Sequence, residues 1–353
     1  MVPVFIVSSR AYTGKTFLAL GLAFNLREQG YTVGYMKPIG KIPIKKGKEV
    51  YAADAVFMKE ALSLPEPLNV ISPFVLSYET HQLLLEGRIG NVKEQIREAL
   101  EIQSSKDIVM IGGAGDLFQG ATLNIDALSL ISELNCPALM VESWNGDTSL
   151  DTLIGGYRLL GNRFAGCIIN KVPITITSHV KEAVKPFLER MGVNVLGVFP
   201  KDSILESISV RQLAEILNGK ILCCDDRLDD FVEQFSVGAM DVDSALTYFR
   251  RTPNKAVITG SHRSDIQLAA IETSTKCIIL TGGLFVNDLV LGKAQAKGIP
   301  IISVHSDTFK TIEKIESVIG KIGIREEKKV TRIREVTEDF DYARLLNTLK
   351  VQK

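Results

Sequence analysis

The sequence predicts an α/β protein: a parallel sheet with helices on both faces, followed by a smaller α/β domain. Apolar runs of strand length alternate with amphipathic segments of helix length, as in consecutive βαβ units. The pattern resets at Gly219-Lys220, and 353 residues suffice for two domains that each bury a core. We therefore predict domains at 1–220 and 221–323 and a charged tail at 324–353.

Six strands and one clear helix are expected in the first domain. Gly14 to Gln29 is the helix, because its apolar residues form one broad face and Gly30 follows as a terminating residue. The strands are expected at Pro3–Val7, Thr32–Lys37, Asp107–Ile111, Pro137–Glu142, Phe164–Asn170 and Asn194–Pro200.

The second domain shows the same alternation in shorter segments. Helices are expected at Leu228–Gln234 and Asp243–Phe249, with further helices beginning at Ser264, Phe285 and Thr308. The strands are expected at Ala256–Thr259, Cys277–Thr281 and Ile299–Val304. In the tail, Tyr342 to Leu349 is a candidate for a short closing helix.

Composition argues against several classes of protein. Lysine plus arginine (41) equals aspartate plus glutamate (41), so no global field favours nucleic acid or an acidic membrane surface. The longest apolar runs have strand length, far short of the roughly 20 residues of a membrane span. The first seven residues read as a strand rather than a secretory signal, and the five cysteines form no C-x-x-C pair. We expect a cytoplasmic protein with reduced thiols.

A phosphate-binding loop is indicated between the first strand and the first helix. Its last residues are Gly14-Lys15-Thr16, whereas Ser8 and Ser9 stand where the standard P-loop has its opening glycine. Successive backbone N–H groups and the helix N-terminus would bind phosphate oxygens there. Lys15 would neutralise phosphate charge, and the Thr16 hydroxyl would ligate Mg²⁺. The alternative is a turn with an incidental Gly-Lys-Thr, and the position between strand and helix argues against it.

This loop resembles the variant P-loop of the dethiobiotin synthetase and cobyrinic acid diamide synthase superfamily. Three further stretches are similar to that family: Gly34 to Gly40, Gly166 to Val172 and Val195 to Pro200. The resemblance implies that Lys37 reaches into the active site and acts in catalysis if the protein is an enzyme. It also implies a nucleotide site, with Asn170 near the base, formed by Ser9, Tyr12, Thr13, Gly14, Lys15, Thr16, Asn170 and Lys171.

The metal site implied by the resemblance is incomplete. The family's strand-end glutamate, in Glu-Gly-Ala-Gly, corresponds to Gly112 here, and its P-loop glutamate corresponds to Tyr12. The candidate magnesium ligands are Thr16, Asp54 and Asp116, with Glu142 as another possible replacement. An equally good explanation of Asp54 is an exposed aspartate in the first turn of a helix, where the helix dipole favours a negative charge. We expect nucleotide binding to survive these departures better than catalysis.

The second half resembles the DRTGG domain. The stretches that carry the resemblance are Thr259 to Ala270, with His262, Arg263 and Asp265, and Ile278 to Gly283. A synthetase-like P-loop domain followed by DRTGG is found upstream of the catalytic domain in long phosphotransacetylases. The resemblance favours a dimerisation module; an anion or nucleotide site at the glycines is the alternative.

These observations lead to two functional hypotheses. The first is a regulatory protein that binds ATP and Mg²⁺ and forms a homodimer through its DRTGG domain, with a phosphotransacetylase or another metabolic enzyme as a possible partner. The second is an ATP-dependent ligase or synthetase acting on a small carboxylic acid. A weak ATPase activity is compatible with both. The chain stops before the transferase domain, so we expect no phosphate acetyltransferase activity from it alone, and no nucleic-acid or membrane partner.

Overall fold

The computed structural model describes residues 1–41, 43–46, 49–283, 286–318 and 327–351. The chain divides into two compact units, Met1–Lys201 with Gly323–Lys353, and Asp202–Ile322. The segment that the sequence marks as a tail is thus part of the first unit, because its helices pack there. Two predicted features, the start of the tail at 324–326 and a helix beginning at Phe285, lie outside the described residues.

The first unit is built on a six-stranded parallel sheet. Its strands, with four short ones that form two small sheets, are β1 (Val2–Val7), β2 (Val33–Met36), β3 (Ile39–Gly40), β4 (Pro43–Lys46), β5 (Glu49–Ala52), β6 (Phe74–Val75), β7 (Ile108–Gly112), β8 (Ala138–Ser143), β9 (Phe164–Val172) and β10 (Val195–Pro200). The order in the large sheet is β10-β9-β8-β1-β7-β2, with every neighbouring pair parallel. The predicted fold class is confirmed, and β1 lies at the point where the strand order reverses.

Helices cover this sheet. They are α1 (Lys15–Glu28), α2 (Ala53–Ala61), α3 (Leu68–Ile71), α4 (Tyr78–Leu85), α5 (Val92–Glu101), α6 (Ala127–Glu133), α7 (Thr148–Leu160), α8 (Thr177–His179) and α9 (Lys185–Arg190), with a π-helical turn at Val180–Val184. Apolar residues of the central strands are buried on both sides of the sheet, as β7 shows with five buried residues in a row. The carboxyl ends of β1, β7 and β8 therefore meet at one edge, where the loops are free to form a site.

The second unit has a mixed five-stranded sheet. The strands of this unit are β11 (Ile208–Ser209), β12 (Lys220–Cys223), β13 (Phe231–Val232), β14 (Gln234–Val237), β15 (Lys255–Gly260), β16 (Thr275–Thr281) and β17 (Ile301–Ser303). Five of them form the sheet in the order β12-β17-β16-β15-β14, and β11 and β13 form a separate antiparallel pair. Its helices are α10 (Ser203–Glu206), α11 (Val210–Leu217), α12 (Val242–Arg251), α13 (Ser264–Ile271), α14 (Asp288–Lys297) and α15 (Thr308–Val318).

One element of this unit was predicted wrongly. The helix expected at Leu228–Gln234 is replaced by the strands β13 and β14. Leu228, Val232 and Phe235 are spaced as on a helix face, but they reach the same core from a turn and two strands. The segment that forms β13 and β14 contains two phenylalanines and two valines, which favour strands, and pairing with β11 and β15 decides the outcome.

The chain then returns to the first unit through α16 (Glu327–Val336) and α17 (Tyr342–Leu349). The residue after α16, Thr337, lies so close to Gly21 of α1 that a side chain at 21 would overlap it. Asn25 of α1 also donates a hydrogen bond to Thr337 Oγ1 at 3.0 Å. This contact explains why α1 is apolar almost all round: the sheet covers one side and α16 the other.

The described helices are too short or too polar for a bilayer. Within the described ranges, none combines the length and the apolar composition that a membrane crossing requires.

Candidate nucleotide site

The loop between β1 and α1 has a backbone that only glycine suits at its last position. Gly14 has φ 111°, in the left-handed region, and a Cβ atom there would overlap the side-chain amide of Asn170. That amide donates to the Thr13 carbonyl oxygen at 2.8 Å, and Asn170 Oδ1 accepts from the Lys171 N–H at 2.9 Å. Asn170, expected near a base, thus also fixes the shape of the loop.

The two serines in place of the opening glycine hold the loop by hydrogen bonds. Ser8 Oγ accepts from Lys15 Nζ at 2.5 Å and donates to the Arg10 carbonyl oxygen at 2.6 Å. Ser9 Oγ donates to Glu142 Oε2 at 2.5 Å, and Arg10 Nε lies 3.2 Å from Glu142 Oε1. The loop is therefore anchored to the end of β8 by a carboxylate that is 2% exposed. The serines keep this P-loop ordered.

Lys15 is buried at the first position of α1. Its ammonium group donates to the Gly115 carbonyl oxygen at 2.7 Å, across the site from the P-loop. Burial lowers the pKa of Lys15 to about 7, and the charges of Lys37 and Lys41 add to this effect. A buried cation next to two others is electrostatically unfavourable, so the site is suited to an anion that restores the charge balance.

Lys37 and Asp54 form an ion pair in the same region. Lys37 Nζ lies 2.8 Å from Asp54 Oδ2 and donates to the Gly113 carbonyl oxygen at 3.1 Å. Asp54 belongs to the first turn of α2, and its other carboxylate oxygen, Oδ1, is buried with no hydrogen-bond partner among the described residues. A buried carboxylate oxygen without a partner fits a bound cation or water.

Lys41 is a third cation that the sequence analysis missed. It follows β3, four residues after Lys37, and a Cβ atom added to Gly115 would lie 2.6 Å from its Nζ atom. Burial lowers the pKa of Lys41, Asp116 opposes this shift, and Lys37 adds to it. We call Lys15, Lys37 and Lys41 the lysine cluster. The repeat of lysine four residues after Lys37 is the signal that could have identified it.

The acidic residues expected as metal ligands differ in their availability. Asp116 Oδ1 accepts the amides of Phe118 and Gln119 at 2.8 and 3.0 Å, so it stabilises a turn. Both carboxylate oxygens of Glu142 are bound by Ser9 and Arg10. In the part of the chain that the structure describes, no group of three histidine, cysteine or acidic residues could hold a metal. Magnesium usually takes one or two carboxylates plus phosphate oxygens and water, which Asp54 and Thr16 fit.

Packing leaves no room at Gly112 for the strand-end glutamate that the family resemblance implies. A Cβ atom on Gly112 would lie 2.6 Å from Tyr35 Oη and 3.2 Å from Tyr35 Cζ. Tyr35 is 1% exposed, and its hydroxyl has no hydrogen-bond partner within the described ranges. Burial, together with the charge of Asp54, raises the pKa of Tyr35 well above its usual value. The Tyr35 ring therefore fills the space that a side chain at 112 would need.

The remaining predicted residues lie around the same loop. Tyr12 has φ 62° and is 52% exposed, and Lys171 has φ 56° directly after Asn170. Thr13 is buried, and its hydroxyl oxygen has no partner in the described part of the chain. Thr16 is half-buried in the first turn of α1. The structure thus gathers the P-loop, the lysine cluster and Asp54 at the edge formed by β1 and β7.

A parallel sheet with a Gly-Lys-Thr loop between β1 and α1 defines a P-loop NTPase-type domain. Residues 3–209, more than half of the chain, match the AAA domain family AAA_26, and residues 212–318 match the DRTGG domain family. The chain therefore belongs to the AAA_26 family and carries a DRTGG domain after its P-loop domain. The predicted resemblance is confirmed.

The curated relatives of this chain include phosphate acetyltransferases and dethiobiotin synthetases. Phosphate acetyltransferase of Synechocystis is 24% identical over 98% of this chain and 52% of its own length. The chain thus spans about half the length of the phosphate acetyltransferases that it matches. Dethiobiotin synthetase of Clostridium perfringens is 26% identical over 61% of this chain and 98% of its own length. Among solved structures, the Aquifex aeolicus cell division protein MinD aligns with a TM-score of 0.34 at 15% identity, covering 58% of this chain and 84% of its own.

The packing of Tyr35 against Gly112 gives a first prediction. Gly112→Ala should lower the free energy of unfolding by about 1 to 3 kcal/mol, because the new methyl group overlaps Tyr35 Oη. Tyr35→Phe removes a buried hydroxyl without a partner, so it should leave the free energy of unfolding unchanged. In the double variant with Gly112→Ala, it should restore part of the stability that Gly112→Ala removes. Urea unfolding measures all three.

Gly155→Ala in α7 is the matched control, because a Cβ atom there meets open space. It should raise the free energy of unfolding by about 0.5 to 1 kcal/mol. Equal costs for Gly112→Ala in the presence and absence of the Tyr35 hydroxyl would contradict the packing explanation.

Proposed function

We propose that the P-loop domain binds ATP with Mg²⁺ and that the protein acts as a nucleotide-dependent regulator. The convergence of the lysine cluster on the loop that begins at Gly113 carries this proposal. Three cations beside a P-loop favour a ligand with several negative charges. The phosphates of a nucleoside triphosphate carry several negative charges in a short chain. The similarity to dethiobiotin synthetases, named as ATP-dependent, supports ATP over other nucleotides.

Within this proposal, Thr16 and Asp54 hold Mg²⁺ together with phosphate oxygens. The Asp54 oxygen without a partner supports this assignment. The ion supplies charge neutralisation at the phosphates. The protein positions the phosphates through Lys15 and the backbone N–H groups of the loop, and we assign Tyr12, Thr13, Asn170 and Lys171 to the rest of the nucleotide site. Ser9 contributes by holding the loop on Glu142.

Slow turnover follows from the same site. Gly112 removes a carboxylate from the edge of the sheet, Asp116 is engaged in a turn, and Glu142 is paired with Arg10. With fewer groups to organise the metal and the attacking atom, phosphoryl transfer loses electrostatic stabilisation. The second candidate function, an ATP-dependent ligase, is favoured by one observation: Lys37 is held beside Asp54 in the site, where it could balance charge on a phosphorylated carboxylate.

Nucleotide binding should depend on Lys15. Lys15→Ala should weaken Mg²⁺-ATP binding at least about a hundredfold, because it removes a buried charge-assisted contact to the phosphates. Calorimetry measures the affinity, and an ADP-release assay measures turnover, which we expect to be negligible in the wild type. Lys181→Ala is the control, since Lys181 is exposed and pairs weakly with Asp339 at 3.9 Å.

Two results would contradict parts of this proposal. Absence of ATP binding at millimolar concentration would eliminate the nucleotide site. Steady ADP release that Lys37→Ala abolishes would favour the ligase over the regulator.

Binding should take up a proton above pH 7. The pKa of Lys15 is about 7 instead of 10.5, so its ammonium form is disfavoured in the free protein, and a bound phosphate raises that pKa again. At pH 8 close to one proton should be taken up per nucleotide, and at pH 6 almost none. Calorimetry in buffers of different ionisation enthalpy measures the uptake. Lys15→Arg, which stays charged, should abolish it; uptake that persists in Lys15→Arg would assign the proton to another group.

We also propose that the DRTGG domain forms a homodimer. Leu289 and Phe309 are 60% and 75% exposed, and both lie in the first turns of helices that follow the adjacent parallel strands β16 and β17. They therefore share one edge of the second unit. Phe309→Asp should shift a dimer to monomer in light scattering, whereas Leu159→Asp in α7, at a site 52% exposed in the first unit, should not. A wild-type monomer at every concentration would overturn this assignment.

A further inference from the structure

The buried side chain of Tyr35 reaches the edge of the sheet that carries the candidate site. Tyr35 is paired with Met110 in the parallel register of β2 and β7. Its hydroxyl lies two residues further along β7, because a Cβ atom on Gly112 would be 2.6 Å from Tyr35 Oη. Residues of a parallel strand follow each other at about 3.3 Å, so the ring extends along β7 toward its carboxyl end. The polar end of Tyr35 is therefore directed at the nucleotide site.

The Tyr35 hydroxyl lacks an acceptor in the described part of the chain. Tyr35 is 1% exposed, and its Oη atom has no hydrogen-bond partner there. Phenylalanine would fill the same space without an unpaired buried hydroxyl, which is unfavourable. Burial, together with the charge of Asp54, raises the pKa of Tyr35 well above its usual value, so the hydroxyl keeps its proton. Tyr35 thus offers a hydrogen-bond donor whose acceptor is expected in a bound ligand.

The end of β7 is also where two lysines meet the loop that follows it. Lys37 Nζ donates to the carbonyl oxygen of Gly113, the residue next to Gly112, at 3.1 Å. Lys15 Nζ donates to the carbonyl oxygen of Gly115 at 2.7 Å. In a P-loop site the backbone of the loop holds the α- and β-phosphates, and the lysine at the position of Lys15 reaches the β- and γ-phosphates. The terminal phosphate of a triphosphate is therefore expected at the loop after β7, on the side of Lys37 and the Tyr35 hydroxyl.

We propose that Tyr35 determines specificity for the triphosphate, because its hydroxyl donates a hydrogen bond to an oxygen of the terminal phosphate of bound ATP. The assignment rests on the proposed nucleotide function and deepens it, since it names a group that distinguishes ATP from ADP. A hydrogen bond to a charged phosphate oxygen is stronger than one to a neutral acceptor. Tyrosine supplies this donor without adding a negative charge, whereas a carboxylate at the same place would repel the phosphate unless a metal ion lay between them.

The test compares the full chain with its Tyr35→Phe variant in calorimetric titrations with ATP and with ADP, each with Mg²⁺. Tyr35→Phe should weaken ATP binding at least about tenfold and change ADP binding by less than about twofold, because only ATP carries the third phosphate. Urea unfolding without nucleotide should be the same for both proteins, since the hydroxyl has no partner among the described residues. A purely structural tyrosine would not change the two affinities differently.

Tyr157→Phe in α7 is the matched control. Tyr157 packs on Phe164, where β9 begins, with the ring centroids 5.3 Å apart. Its hydroxyl lies near Gly192, before β10 begins, so it is at the opposite edge of the sheet from the P-loop. This variant loses the same atom as Tyr35→Phe and should change neither affinity.

The outcomes separate the role of Tyr35 from the proposed function. If the wild-type chain binds no ATP, the nucleotide site and the role of Tyr35 are both overturned. ATP binding that Tyr35→Phe leaves unchanged overturns the role of Tyr35 alone. Equal losses of ATP and ADP affinity would contradict the contact with the terminal phosphate, and a matching loss of stability in urea would make Tyr35 a structural residue.

Discussion

The buried ammonium group of Lys15 is the interaction on which the site depends. It joins Ser8 in the P-loop to the Gly115 carbonyl oxygen in the loop after β7, at 2.5 and 2.7 Å. These two loops leave adjacent parallel strands, so the contact closes the edge of the sheet at the point where the strand order reverses. Because desolvation opposes the charge of Lys15, the same contact that orders the empty site makes it receptive to an anion.

The rest of the site follows from how charges are arranged around this contact. The charges of Asp116 and Glu142 act on Lys15, but Glu142 is paired with Arg10 and Asp116 is engaged in a turn. Asp54 is paired with Lys37. The strand β7 ends in Gly112, which brings no carboxylate to the site, and Tyr35 fills the space that a side chain there would need. Excess positive charge therefore remains beside the P-loop. This arrangement suits the binding of phosphates, but it leaves few carboxylates free to hold a metal ion during turnover.

The sequence predicted the central sheet closely because its signals are local. Buried parallel strands are continuous apolar runs, and β1, β7 and β8 were recognised on that basis. The P-loop was recognised because its residues are contiguous. The helix expected at Leu228–Gln234 was wrong, since three apolar residues with helical spacing cannot reveal that strands β11 and β15 pair with that segment.

The contacts within the site could not be predicted for a related reason: they join residues far apart in the chain. Nothing near Tyr35 in sequence indicates that its hydroxyl lies against Gly112. Lys41 can be recognised as a site residue only once the structure shows that it lies beside Gly115. Ser9 and Glu142 are separated by 133 positions. The sequence shows which residue types are present, but only the folded structure shows which of these residues contact each other.

The helix that carries Lys15 also connects the site to the chain's return from the second unit. The chain leaves the first unit after Lys201, which follows β10, and comes back as α16 along α1. There Thr337 lies so close to Gly21 that any larger residue at position 21 would overlap it. Asn25 donates a hydrogen bond to the Thr337 hydroxyl. Since α1 begins at Lys15, its position is set at one end by the loop contacts and along its length by α16. The P-loop thus has both a covalent and a packed connection to the segment that follows the DRTGG domain.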